Sequence, residues 1–114
     1  MLLTAACTSA AATSSALPPD AYGTFLDNND PIFRRVLLVE SDGVALTTSL
    51  TANGRAAGTS STCRATDIAE LTPEMALTLR CDSESIPYTF QFRSDRMDWV
   101  VVEDGTAPMV FVRR

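Results

Sequence analysis

Met75-Ala76-Leu77-Thr78-Leu79-Arg80-Cys81 and, after a polar loop, Ile86-Pro87-Tyr88-Thr89-Phe90-Gln91-Phe92-Arg93 carry large apolar side chains at every second position. A period of two marks a β-strand with one buried face, whereas a helix repeats every three to four residues. Met75, Leu77, Leu79 and Cys81 fall on one face, against Ala76, Thr78 and Arg80 on the other. Ile86, Tyr88, Phe90 and Phe92 alternate likewise against Thr89, Gln91 and Arg93. Folding the runs about Asp82-Ser83-Glu84-Ser85 sets Leu79 opposite Tyr88, Leu77 opposite Phe90 and Met75 opposite Phe92. A turn at Ser94-Asp95 then brings Phe90 opposite Trp99. This register keeps the large apolar residues on one side and predicts a core around Tyr88, Phe90 and Trp99.

Runs of the same kind fill the rest of the chain from Tyr22 onward: 22–26, 32–40, 44–51, 59–66, 96–103 and 107–113. Asp42-Gly43, Asn53-Gly54 and Asp104-Gly105 supply the pairs that favour positive φ in tight hairpins. Asp27-Asn28-Asn29-Asp30-Pro31 reads as an Asx-rich turn, because Pro31 falls where a calcium loop needs its third ligand. One helical signal interrupts the pattern. Asp67 can cap, Glu70 can complete a capping box and Pro73 closes the segment, so at most one short helix near 67–72 is expected. The fold class is all-β: a small antiparallel meander of about eight strands, forming a barrel or a sandwich. Residues 22–114 form a single β-domain, and 1–21, rich in Ala, Ser and Thr and ending in Pro18-Pro19, read as a leader remnant and flexible tether.

Composition removes several functions. The formal net charge is −5, with fourteen acidic residues against nine arginines and neither lysine nor histidine. Such a chain lacks the positive field that nucleic-acid binding needs. Without histidine there is no Ser-His-Asp or Cys-His nucleophile system and no His-based zinc site. Without lysine there is no Schiff-base chemistry. The expectation is a protein that is not an enzyme, with no metal and no cofactor. Carboxylate chemistry is the distant alternative, a hydrolase drawing on Glu40, Asp98 or Glu103. These lie at strand ends or on the outer face, and nothing in the sequence pairs them in one cleft.

Cys7 stands apart from the other cysteines. It follows small residues in Leu3-Thr4-Ala5-Ala6-Cys7, and a small-residue tract follows it. The stretch resembles the lipobox of a bacterial lipoprotein signal peptide, with Thr4 at the position Leu usually holds. The resemblance implies lipidation at Cys7 and a cell-envelope, periplasmic location, with membrane contact only through the lipid anchor. No basic residue precedes Arg34, so the start of such a leader is expected upstream of Met1, or the chain is a trimmed form. In an exported chain the remaining pair, Cys63 and Cys81, reads as a disulfide. If the bridge joins directly opposed positions, Arg64 and Arg80 become cross-strand neighbours on the outer face.

Function is sought where alternation fails. Val36-Leu37-Leu38-Val39, Trp99-Val100-Val101-Val102 and Met109-Val110-Phe111-Val112 are apolar on both faces. Val100 and Val102 must face away from Trp99, joined either by Met109 and Phe111 or by Val110 and Val112. Coverage by the protein itself, through residues 17–33 or a second sheet, would explain this. The functional alternative is an exposed patch for a partner protein or for self-association. Arg64 and Arg80 would add an outer basic cluster able to hold a carboxylate or phosphate. The leading expectation is therefore a protein-binding module, an inhibitor or assembly accessory, that uses Val100, Val102, Met109, Phe111, Arg64 and Arg80. The second is a barrel that binds a small apolar ligand or lipid, lined by Tyr88, Phe90, Trp99 and Met75. Gly23-Thr24-Phe25 after a linker, together with the late Arg113, resembles the opening G-x-W and closing arginine of lipocalin-type barrels. That resemblance implies an aromatic residue at one barrel end with the arginine packed across it, and no particular activity.

Overall fold

The computed structural model describes residues 17–27, 32–52, 55–66, 68 and 70–114, and for 51–52 and 55–59 it describes the backbone. Cys7, residues 28–31, Asn53-Gly54, Asp67 and Ala69 lie outside the described residues. Eight strands close into one antiparallel barrel in chain order. They are β1 Gly23–Asp27, β2 Phe33–Glu40, β3 Gly43–Ala52 and β4 Arg55–Ala65. β5 Glu74–Arg80, β6 Ser85–Arg93, β7 Asp98–Glu103 and β8 Met109–Arg113 complete the ring. β8 closes it on β1 through Phe25↔Arg113 and Leu26↔Val112. Of the two architectures the strand pattern allowed, the structure is the barrel.

An eight-strand barrel has an interior just wide enough for its own side chains. Here it is filled by the inward residues of each alternating run. Trp99, Phe25, Phe90 and Phe111 are the largest fully buried side chains, with Leu37, Leu79, Val39 and Val101 around them. Phe90 meets Trp99 edge to face at 6.3 Å between ring centres, and Phe92 lies 5.3 Å from the same indole. Burying each such side chain contributes roughly 1.5–3 kcal/mol. Outward positions of β5 and β6 (Ala76, Thr78, Arg80, Thr89, Gln91) are exposed, as the alternation requires.

Both central hairpins differ from the sequence register by two residues. The pairs are Leu79↔Ile86, Leu77↔Tyr88 and Met75↔Phe90, then Phe92↔Trp99 and Phe90↔Val101. Cys81 leaves the β5–β6 ladder to reach Cys63, and its N–H donates to the Glu84 carbonyl, so Arg80↔Ser85 is the last pair. The β6–β7 turn takes Ser94–Met97, ending with Met97 at φ 56°. An even slip leaves every side chain on its original face, so the core composition survives the error.

Two local expectations change. Gly43 has no positive φ among the described glycines; Gly23 and Gly105 do. The β2–β3 turn is Ser41-Asp42, and Gly43 opens β3 opposite Glu40. Its role is close approach, because a Cβ there would run into the carbonyl oxygen of Ala65. The described residues of 67–72 hold no helix. The Ile68 N–H donates to the Asp42 carbonyl, Leu71 is buried and Ile68 packs against the core. A segment this short gains too little from helical bonds to outweigh that placement.

These contacts close one end of the barrel. A 3-10 turn, Pro19–Ala21, completes the closure, with Ala21 fully buried and Leu17 against the core. The Trp99 indole Nε1–H donates to the Ala21 carbonyl at 3.0 Å. Arg113 donates to the carbonyls of Asp20 and Tyr22, and its guanidinium sits 5.0 Å over the Phe25 ring. The arrangement is consistent with a lipocalin-like barrel, with Phe25 in the place of the tryptophan.

Candidate functional site

The opposite end of the barrel stays open. Strand directions bring the ends of β1, β3, β5 and β7 there, and a cavity of ≈ 250 Å³ lies at this mouth. Its walls include Phe33, Leu46 and Met109, with Arg35, Thr48, Tyr88 and Glu103 as the polar members. Burial first, then the neighbouring Glu103 carboxylate, pushes the Tyr88 phenol above its ordinary pKa. Arg35 lies 3.8 Å from the buried Asp27 carboxylate. Of the four residues expected to line an apolar cavity, only Tyr88 reaches this mouth. Trp99 and Phe90 are packed into the filled interior, and Met75 is half-buried against it. The sequence pattern gave no signal for Arg35, and it offered Glu103 only as a hydrolase carboxylate, not as part of a mouth shared with Tyr88. The parity of Phe33-Arg34-Arg35-Val36 does not say which arginine points inward until Leu37 is fixed in the core.

The outer face divides the expected partner surface in two. Val100 and Val102 on β7 point outward, as expected. Their outward neighbours on β8 are Val110 and Val112. Met109 and Phe111 point inward, opposite Val101 and Trp99, and Phe111 is fully buried. Their assignment to the outer surface is therefore corrected: β7–β8 pairing puts residues of like parity together, and Trp99 fixes which parity is inside. The apolar row continues across the closure through Val112↔Leu26 and Leu26↔Val36, with Leu38 farther along β2. Val112 is 51% exposed, and the others are half-buried. No second sheet lies among the described residues, and Leu17–Ala21 belong to the closed end.

Arg64 and Arg80 are directly opposed on β4 and β5, as the disulfide geometry implied. Cys63 and Cys81 are bridged beside them, with Cα atoms 4.2 Å apart. The pair lies on the outside of the barrel, across the ring from the β8–β1 closure that carries the valines. The structure therefore does not join the valines and these arginines into one surface.

The carboxylates do not converge. Asp98 is held by Arg93 through two hydrogen bonds of 2.8 and 2.7 Å near the closed end. Glu103 lies at the open mouth, five residues along β7, or about 17 Å at the rise of an antiparallel strand. Glu40 is exposed beside the β2–β3 turn. Among the described residues no three His, Cys, Asp or Glu side chains group as metal ligands. No protein-family model, curated protein or solved structure matches the chain.

Proposed function

We propose that the protein is a cell-envelope binding module that docks a partner protein on the outward valine band of β7, β8, β1 and β2. One observation carries the reading: Val100, Val102, Val110, Val112, Leu26 and Val36 form a continuous outward row, with Val112 half exposed. Scattered apolar residues on a surface are ordinary, but a contiguous patch marks an interaction site. A protein fits this band better than a lipid surface does. Trp99 is in the core, Tyr22 packs against it, the net charge is −5 and no lysine is present. Lipid-binding faces use interfacial aromatics and basic residues. The expected envelope location rests on the lipobox-like Cys7.

A photo-crosslinking side chain at Val110 or Val112, introduced in the native cell, tests the reading. A discrete protein adduct is expected, absent when the crosslinker replaces the outward Thr78 of β5 and lost when Val100 and Val102 are changed to Ser. Purified V100S/V102S should keep the near-UV spectrum of the native fold. A collapsed fold with no lost adduct would make these residues covered core and refute the proposal. An adduct with a second copy of the chain would identify the partner as itself.

A second reading rests on the open-end cavity. Its mixed walls suit a small amphipathic ligand, with the apolar part against Phe33, Leu46 and Met109 and polar groups toward Arg35, Tyr88 and Glu103. Ligand-induced quenching of tyrosine fluorescence, abolished by Met109→Trp filling the mouth, is the outcome that supports it.

A further inference from the structure

We infer that Arg64 and Arg80 form a phosphate-binding clamp at the β4–β5 seam, independent of the valine band. Arg64↔Arg80 is the single register pair between these strands, so the two guanidinium stems leave the sheet side by side. Like charges directly opposite on a sheet oppose folding. The adjacent Cys63–Cys81 bridge fixes the strand separation and prevents the stems from moving apart.

No described carboxylate neutralises the pair. Arg93 is held by Asp98 and Arg35 lies beside Asp27, whereas Arg64 and Arg80 have neither an ion pair nor a side-chain hydrogen bond among the described residues. This is notable in a chain with fourteen acidic residues. Both arginines line one outer groove of ≈ 420 Å³, with Thr62, Thr66, Cys81 and Asp82. Thr62 is tied to Thr47 by a 3.0 Å hydroxyl contact, which steadies that wall.

Two forks directed into one groove suit a tetrahedral oxyanion, which can accept from both at once. A planar carboxylate is satisfied by one fork. The Thr66 hydroxyl can donate to a third oxygen. Asp82 stands in the same groove without reaching either guanidinium, and it can accept from a hydroxyl or ammonium on the ligand. The class is therefore a phosphate group, free or on a lipid headgroup that also carries a donor.

Thermal unfolding of the oxidised protein in a non-phosphate buffer tests the clamp, with inorganic phosphate as the probe against sodium chloride of equal ionic strength. Phosphate should raise Tm by about 5 °C or more at about ten times its Kd. Arg80→Gln should raise the phosphate-free Tm, because it removes a like charge, and should abolish the phosphate response. Arg96→Gln should leave the response intact. Broadening of the ³¹P resonance by wild-type protein, absent with Arg64→Gln, checks binding without relying on stability. Co-sedimentation with phosphatidylethanolamine vesicles, lost in either arginine variant, would assign the clamp to a headgroup; a response to inorganic phosphate alone would assign it to the free ion. A shift equalled by sodium chloride, or one that persists in Arg80→Gln, overturns the inference.

Discussion

Replacing Cys63, which is buried, and Cys81, which is half-buried, together by Ala should open the barrel at the β4–β5 seam. The two residues are 18 apart in sequence, and the bridge removes loop-closure entropy from the unfolded chain. For a loop of that size the chain-entropy estimate is about 3 kcal/mol at 25 °C. The seam argues that the loss is not confined to the unfolded state. Neighbouring strands such as β2 and β3 pair from Phe33↔Leu50 to Glu40↔Gly43, whereas β4 and β5 pair only at Arg64↔Arg80. The bridge is thus the main fastening of the ring at that point. Urea unfolding should show a loss of about 3 kcal/mol or more, with Tm lower by roughly 12–24 °C for a domain of this size. Native-state hydrogen exchange should then locate the weakness. Amides of Thr62–Ala65 and Glu74–Arg80 should gain exchange by local opening, while those of β2 and the β2-facing side of β3 follow global unfolding only. A loss below about 1 kcal/mol, or a uniform acceleration in every strand, would refute the view that the seam depends on its disulfide.

Gly43→Ala should cost about 2 kcal/mol or more, read from the urea midpoint, because the Ala65 carbonyl must move to admit the methyl group. Arg113→Ala should cost about 2–3 kcal/mol, since it removes charge-assisted donation to the Asp20 and Tyr22 carbonyls and the cation above Phe25; Arg113→Lys should recover only part of this. Tyr88 has its phenol pKa raised by burial and by Glu103. The folded state therefore holds that proton more tightly than the unfolded chain. The corresponding stability is fully present below the unfolded pKa, about 10, and declines as pH rises toward the folded value. Alkaline denaturation followed by circular dichroism should show this decline in the wild type and a flatter arm in Tyr88→Phe.

Parity was far more legible in the sequence than register. The face assignments of Met75 to Leu79 and Ile86 to Phe92 follow from a period of two and hold, while Cys81 lies past the last ladder pair. The pairing partners depended on loop lengths, and a polar stretch such as Ser94-Asp95-Arg96-Met97 does not reveal whether two or four residues turn. Met97 in the left-handed region is a conformation its side chain gives no reason to expect. The disulfide and the Arg64–Arg80 juxtaposition were readable because a covalent bridge fixes neighbours whatever the turn. The open-end cavity was not readable. Phe33 and Thr48 share the β2–β3 hairpin, but Tyr88 and Met109 come from β6 and β8 and meet that hairpin only once the ring is closed, so no local window contains the whole set.

Closure also determines what the two-sided strands mean. In a sandwich, Val100, Val102, Val110 and Val112 could have faced a second sheet while Trp99 and Phe111 faced the first core. A closed barrel has one interior, and Trp99, Val101 and Phe111 occupy their share of it at full burial. Residues of the opposite parity must then lie outside, whatever their hydrophobicity. Four valines there do not improve the barrel core, and β-propensity alone would be met as well by threonine, which β6 and β3 use on their outer faces at Thr89 and Thr47. Replacing one outward valine at a time by Thr separates the two explanations. Unchanged stability with a weakened partner adduct follows if the methyl groups serve an interface, and a loss of stability at each site follows if they serve the sheet.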